Sequence, residues 1–306
     1  MYYFIVNPRS SRGRGLRIWK KVLRYLNKID RATNYEVFIT DKRGDAREFS
    51  KRLTEKSREP KTITVIGGDG TLNEVVDGSN LNNGNVSIAF FPSRTDNDFF
   101  RSTRRGYNLK QQLRRIFNTD EEQLFDYGVL NSPSGNRRFV VSAGIGFDAA
   151  MLHDVLLEQT SMQQILLSRR LSYLLAFFRE LRRAEQTQGS VVLDGERRFE
   201  FNNIIFISAH VHPYEGGYKL GPTANGSDGY LDLVVVSTRH KSRVVGIMLS
   251  SLTGSHQNMT GVHVYRCRTA EIHTKRPMPV HTDGEIVGTL NELVLNCVPR
   301  KLRVRV

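Results

Sequence analysis

The stretch that most constrains this chain is Gly67-Gly68-Asp69-Gly70-Thr71-Leu72-Asn73-Glu74. It follows a short apolar run, Thr62-Ile63-Thr64-Val65-Ile66, and leads into residues that favour a helix start. A strand that breaks into glycines and then opens a helix suits an anionic ligand. Glycine lets the backbone approach closely and take turns that other residues resist, and N–H groups at the helix start attract phosphate. Asp69 adds a carboxylate where a magnesium–phosphate complex needs one, and Thr71 adds a hydroxyl. The alternative is a plain tight turn; the flanking strand and the partners below favour phosphate.

The first third alternates strand and helix signals. Strands are expected at Tyr2–Val6, Tyr35–Ile39, 63–66 and 88–91, helices at 16–29 and 46–53, and a polar loop at 7–15. Strands separated by helices imply parallel pairing and a doubly wound, Rossmann-like sheet. Ligands of such sheets sit beyond the carboxyl ends of the strands. Asn7, Thr40, Gly68 and Thr95 all fall just after expected strand ends, which makes them one candidate site.

From about Asp126 the pattern changes. Segments 126–130 and 138–142 flank the turn Ser132-Pro133-Ser134-Gly135, and 191–193 and 198–201 flank Asp194-Gly195, a strong hairpin signal. Further short strands are expected at 204–208, Leu231–Ser237, 262–266, 271–274, 293–297 and 302–306, with helical interruptions at 162–183 and 244–252. This divides the chain into an α/β nucleotide-binding domain over 1–128 and an antiparallel β-rich domain over 129–297, with a strand around 298–306 returning to the first. Segment 162–183 places apolar residues broadly on one side, punctuated by arginines. That suits a core-packed helix with basic ends or a helix lying on a membrane surface.

A chain of 306 residues accommodates two domains. The net charge of +14, from 45 Lys+Arg against 31 Asp+Glu, points to an anionic contact without choosing between nucleic acid, phosphorylated ligand and acidic membrane. Nothing resembles the interleaved aromatic–basic surface of a nucleic-acid binder. Two cysteines, Cys267 and Cys297, with no CxxC, argue against a disulfide framework and for a reducing cytosol. The N-terminal apolar run is too short for a signal peptide, and the longest apolar cluster, 171–178, is too short to span a bilayer, so membrane contact is expected to be peripheral.

Other motifs follow in a recognisable order: Asn7-Pro8; Thr40 with Gly44-Asp45-Ala46; Pro92, Thr95 and Asn97-Asp98-Phe99; Asp126 and Gly128; Gly144-Ile145-Gly146-Phe147-Asp148-Ala149; Gly216-Gly217 with Pro222; Asp228-Gly229-Tyr230-Leu231; and Asp283-Gly284-Glu285. With these, the chain resembles, nearly end to end, the diacylglycerol kinase catalytic family, specifically its soluble bacterial lipid kinases, with sphingosine and ceramide kinases as relatives. The Gly-Gly-Asp-Gly-Thr block alone also occurs in NAD kinases and some phosphofructokinases; the whole succession is far more specific.

The resemblance implies an NAD-kinase-like doubly wound domain followed by an antiparallel β-sandwich. It implies an ATP- and Mg2+-dependent kinase that phosphorylates a hydroxyl of diacylglycerol or a related lipid. Such an enzyme would be cytoplasmic and would touch the inner face of the membrane transiently; no nucleic-acid partner is implied, and a homodimer is compatible. ATP would lie between the domains, on Asn7, Thr40, Gly68, Asp69, Gly70, Thr71, Leu72, Asn73, Glu74 and Thr95. Taken alone, Thr40 and Thr95 are ordinary loop residues. Asp69, Asp98 and Asp126 match acids that organise magnesium; read alone, Asp98 would cap a helix and Asp126 close a turn. Glu285 matches the proposed general base, with Asp69 also at the reaction centre and Asp283 orienting Glu285; read alone, Asp-Gly marks a hairpin. A second, structural magnesium would use Asp228 with the carbonyls of Asn225 and Tyr230, a segment that also reads as a turn. Alternatives are an NAD kinase-like enzyme with a soluble substrate and a non-catalytic nucleotide-binding relative. Two departures stand out. Arg94 replaces a glycine usual in relatives, and His210-Val211-His212 replaces an Asn-Gly pair, so the nucleotide contact and the substrate pocket are expected to differ.

Overall fold

The computed structural model describes residues 1–28, 34–55, 59–82, 84–94, 96–103, 108–119, 121–133, 135–151 and 177–305. Thr95 and most of segment 162–183 lie outside the described residues. The chain forms two compact units, one of residues 1–127, 226–229 and 298–306, the other of 128–225 and 230–297.

In the first unit, strands β1 (Tyr2–Val6), β2 (Tyr35–Ile39), β3 (Lys61–Gly67) and β4 (Val86–Pro92) alternate with helices α1 (Ser10–Leu26), α2 (Asp45–Glu55) and α3 (Asp69–Gly78). All pairings are parallel: β1 lies between β2 and β3, and β3 pairs with β4. The far end of the chain completes this sheet, because Arg303–Arg305 pairs in parallel with Ser87–Ala89. Phe4, Ile5, Val6, Ile63, Val65, Ile66, Ile88 and Phe91 are buried on both faces of the sheet. Continuous apolar strands are what helices covering both faces require, and each such side chain contributes about 1.5–3 kcal/mol. Helix α1 begins earlier than the 16–29 expected from the sequence. Its first turn is irregular, with Ser11, Arg12 and Gly13 at φ +50°, +57° and +81°, so the polar segment 7–15 coils tightly before a regular helix begins. Short α4 (Asp98–Ser102) and α5 (Leu109–Asn118) lead into β5 (Glu122–Ser132).

The second unit is antiparallel. Beyond β5 it contains β6 (Gly135–Phe139), β7 (Ser142–Gly146), β8 (Thr187–Leu193), β9 (Arg197–His210), β10 (Leu231–Ser237), helix α6 (Lys241–Ser251), β11 (Val262–Cys267), β12 (Thr269–Thr282) and the start of β13 (Glu285–Arg305). Several strands expected as separate short pieces are parts of long ones: 198–201 and 204–208 both belong to β9, and 271–274 lies within β12. The long strands change partners midway. β9 pairs with β8 over Arg197–Ile204 and with β7 over Phe206–His210, and β12 pairs with β8 over Ala270–Thr274 and with β7 over Val280–Thr282. Strands that switch partners in this way turn the corners of a two-layered β structure. The interior holds Leu130, Phe139, Ile145, Val191, Leu193, Ile207, Leu233, Val280 and Leu295. The outer face of β9 and β10 is covered by α6 and by residues 177–183, through Ile205, Phe206, Val234, Val236, Val244, Ile247, Phe177 and Leu181.

Candidate functional site

In the first unit the site forms at the carboxyl ends of β1 and β3. Strand β3 ends at Gly67, Gly68 is extended (φ −99°, ψ −174°), and α3 starts at Asp69. The helical ladder begins with the Leu72 N–H donating to the Gly68 carbonyl (3.1 Å), so the N–H groups of Gly70 and Thr71 lie outside it. Gly68 and Gly70 do not have positive φ. What glycine supplies here is space: a Cβ on Gly70 would meet nothing within 4 Å, and one on Gly68 only Ser93 Oγ at 3.9 Å. The Asn7 amide Nδ2 donates to Thr71 Oγ1 (3.2 Å), and its Oδ1 accepts from the N–H groups of Arg9 and Ser10. Thr40, nearly buried, donates through both N–H and hydroxyl to the Val6 carbonyl.

The tail of the Gly-rich block packs inward. Leu72, Asn73 and Glu74 are buried. The Glu74 carboxylate accepts from the N–H groups of Gly44 (2.9 Å) and Ala46 (3.1 Å), holding the start of α2, where carboxylates favour the helix dipole. The Asp69 carboxylate accepts from the N–H groups of Asp98 and Phe99 (both 3.3 Å) at the start of α4, whose cap is Asn97, accepting from Phe100 N–H (2.9 Å). Asp69 and Asp98 are therefore neighbours, both half-buried. Asp126 has another task. Its carboxylate is fully buried; one oxygen accepts from Gly229 N–H and the other from Arg300 N–H (2.8 Å), while its own N–H donates to the Gly226 carbonyl (2.7 Å). It ties segment 226–229 and the returning strand to β5. Asp228 lies in that segment, half-buried; Asn225 and Tyr230 belong to the second unit, Asn225 exposed and Tyr230 lying beneath the Arg266 and Arg268 guanidiniums. Arg94 carries no backbone strain, and its guanidinium grips Asp96 through two hydrogen bonds rather than standing open to an anion.

In the second unit, Asp283 and Gly284 form a two-residue turn between Thr282 and Glu285, with φ +47° and +82°. This is the arrangement that Asp-Gly favours. The Asp283 carboxylate accepts from three backbone N–H groups, of Val140 (2.6 Å), Val141 (2.8 Å) and Ser142 (2.8 Å), and so clamps the turn to the start of β7. Glu285, half-buried, is the first residue of β13 after it.

A buried polar cluster adjoins this turn. His281 Nε2 lies 3.4 Å from Asp148 Oδ2 and 3.3 Å from Glu215 Oε1. Glu215 Oε2 faces His210 Nδ1 at 3.7 Å, and His210 Nε2 pairs with Ser208 Oγ at 2.8 Å. Gly144, opposite His281 across the β7–β12 ladder, makes the meeting possible: a Cβ there would fall 2.0 Å from Asp148 Oδ2 and 2.7 Å from His281 Nε2. Burial lowers the His210 pKa to about 3 and lowers His212 to about 4. For His281 burial acts downward too, but the Glu215, Asp148 and Asp283 carboxylates outweigh it and push the pKa up to about 9. The N–H of Gly284 points at His281 Nδ1 from 3.3 Å and opposes that rise, because the contact exists only while Nδ1 is bare. The hairpin backbone fixes this N–H, so we assign the neutral ring with its hydrogen on Nε2, shared by two carboxylates. Asp148, Glu215 and His281 are close enough to hold a metal ion. A metal on Nε2 would require hydrogen on Nδ1, facing the Gly284 N–H, so the ring serves here as a donor. Asp148 and Glu215 also border a small recess walled by Phe147, Met151, Phe206, Tyr218, Leu220 and Met248.

Residues 1–128 match the family model of the diacylglycerol kinase catalytic domain, and residues 140–306 match that of the YegS C-terminal NAD kinase beta sandwich-like domain. The chain therefore belongs to the diacylglycerol kinase family of lipid kinases, with a YegS-type second domain. Among its relatives, "Putative lipid kinase YtlR" of Bacillus subtilis is 28% identical, with 99% of both chains covered. A diacylglycerol kinase of Staphylococcus carnosus is 27% identical over 95% of this chain and 90% of its own. A crystal structure of a diacylglycerol kinase from Bacillus anthracis shares the fold, with a TM-score of 0.71 at 19% identity over 99% of this chain and 96% of that one. Among the described residues, no helix is long and apolar enough to cross a membrane.

Proposed function

We propose that the protein is an ATP- and Mg2+-dependent kinase for the hydroxyl of diacylglycerol or a related membrane lipid. The observation that carries this reading is the junction of β3 and α3. There, unobstructed glycines and N–H groups outside the helical ladder adjoin Asp69, which is itself tied to Asp98. Phosphoryl transfer depends on alignment and charge neutralisation more than on covalent chemistry. The N–H groups of Gly70 and Thr71 would hold phosphate oxygens, while Asn7 and Thr40 set the neighbouring strand end. Asp69 and Asp98 suit magnesium, a hard cation that prefers carboxylates and water and would neutralise phosphate charge. Asp126, with both oxygens occupied by backbone N–H groups and closed to solvent, supports the fold instead.

Glu285 would take the proton of the lipid hydroxyl as that oxygen attacks the γ-phosphate, and Asp283 would hold the turn that presents it. The lipid would be met at the membrane surface, by transient contact of a basic protein with the inner leaflet. The test is transfer of label from radioactive ATP to dispersed diacylglycerol, sphingosine or phosphatidylglycerol, with NAD in a parallel reaction. Labelled lipid that requires Mg2+ is the expected result. Labelling of NAD alone, or of nothing under conditions where a relative works, overturns the reading.

A further inference from the structure

We propose that His281 is a positioning residue for Glu285: it holds the Asp283-Gly284 turn through the Gly284 N–H, and Asp148 and Glu215 hold its ring from the other side. The inference rests on the reading of Glu285 as general base. The Asp283 carboxylate fixes one side of the turn, through the three N–H groups of Val140, Val141 and Ser142. That clamp acts one residue before Gly284 and two before Glu285. The Gly284 N–H is the next donor along the chain, and the imidazole of His281 receives it at 3.3 Å.

An imidazole can do this only if its rotation is fixed. His281 is fully buried, and its Nε2 faces Asp148 and Glu215 together. Two acceptors on Nε2 place the ring hydrogen there and leave Nδ1 as acceptor. Glu215 is itself set between His281 and His210, and His210 is anchored on Ser208. Gly144 and Asp148 belong to the Gly144-Ile145-Gly146-Phe147-Asp148 motif, which the phosphate chemistry leaves unused. Its first glycine lets the aspartate and the histidine meet. The motif thereby acts on the far hairpin, and a base displaced by about 1 Å can lose on the order of 100-fold in rate.

The test uses two isosteric variants of the full chain. In His281→Asn the side-chain oxygen takes the place of Nδ1 and can accept from Gly284. In His281→Gln the amide nitrogen takes the place of Nε2, so the carboxylates keep a donor while Gly284 loses its acceptor. Two measurements are made: kcat and KM for ATP, and hydrogen–deuterium exchange of segment 281–287, with segment 192–198 as internal control. The expected result is a kcat at least tenfold lower in His281→Gln with an unchanged KM, and faster exchange confined to 281–287. His281→Asn should restore kcat to within about threefold of the parent. Equal losses in both variants with faster exchange in both segments mark a merely structural histidine and overturn the proposal, as does parental kcat and exchange in His281→Gln. The failure of the base reading is separately visible: Glu285→Gln would then keep its activity, while exchange of 281–287 would still report the His281–Gly284 contact.

Discussion

The second unit carries the tripeptide Asp-Gly-Glu twice, at Asp194-Gly195-Glu196 and at Asp283-Gly284-Glu285. Both form turns in which the aspartate and the glycine have positive φ, +55° and +71° in the first, +47° and +82° in the second. In both, the left-handed aspartate turns its carboxylate onto backbone N–H groups of a neighbouring segment: Arg268 and Thr269 in the first, Val140, Val141 and Ser142 in the second. The difference lies in what surrounds them. The first pairs Leu193 with Arg197, so Glu196 stays in the loop, exposed, among Arg197 and Arg198. The second pairs Thr282 with Glu285 itself, so the glutamate starts a strand, half-buried, directly after the Gly284 whose N–H donates to the buried His281. The same turn chemistry builds both, and the second packs against the buried His281.

The largest expected effect separates the two glutamates. Glu285→Gln should lower kcat by about 100- to 10,000-fold, the range general bases contribute, with the thermal melting curve unchanged. Glu196→Gln should leave kcat as it was. Equal activity in the two variants would erase the comparison.

Acid should act on the second hairpin before the first. Burial holds His210 and His212 neutral in the folded chain, at pKa values of about 3 and 4 against 6.5 in the unfolded chain. A depressed folded pKa means that their contribution is complete above pH 6.5 and is lost as pH falls through the window down to 3–4. Full titration amounts to several kcal/mol. Hydrogen exchange at pH 5 and pH 7 should show protection falling first in 281–287, whose cluster contains His210, and later in 192–198.

The two aspartates rank next. Asp283→Ala leaves three partly buried N–H groups without an acceptor and should cost about 2–3 kcal/mol; Asp194→Ala leaves two exposed ones and should cost about 1 kcal/mol or less. Chemical denaturation with equal m-values reads both. The smallest effect concerns the glycines. A Cβ added at Gly195 or at Gly284 would meet no atom within 4 Å, so alanine faces only the penalty of positive φ, about 1 kcal/mol at each. Gly195→Ala should keep full activity, whereas Gly284→Ala should lower kcat by shifting the turn.

Much of the architecture was legible because its signals are local. Apolar runs separated by helical spacing gave the parallel sheet of the first unit, and Asp194-Gly195 announced its hairpin. The long strands were not legible as such: β9 and β12 bend and exchange partners, and their ends carry charged residues such as Arg197 and Glu271 that break the apolar pattern. Asp126 shows the same limit from the other side. Its motif marks an important carboxylate, but only the returning strand and segment 226–229 reveal that backbone N–H groups take both its oxygens. Arg94 stands where relatives usually have a glycine, and the structure gives it a backbone without positive φ and Asp96 as partner.

The order of residues by itself determined the glycine-rich junction after β3 and the existence of both Asp-Gly turns, because each depends on neighbours within a few positions along the chain, and it determined the family through a succession of motifs that runs nearly end to end. Tertiary structure decided which of the two Asp-Gly-Glu copies stands beside buried ionisable groups. Asp148, Glu215 and His281 come from three distant segments, and the electrostatics of a buried carboxylate or imidazole depend on what lies a few ångströms away in space, which no spacing along the sequence records.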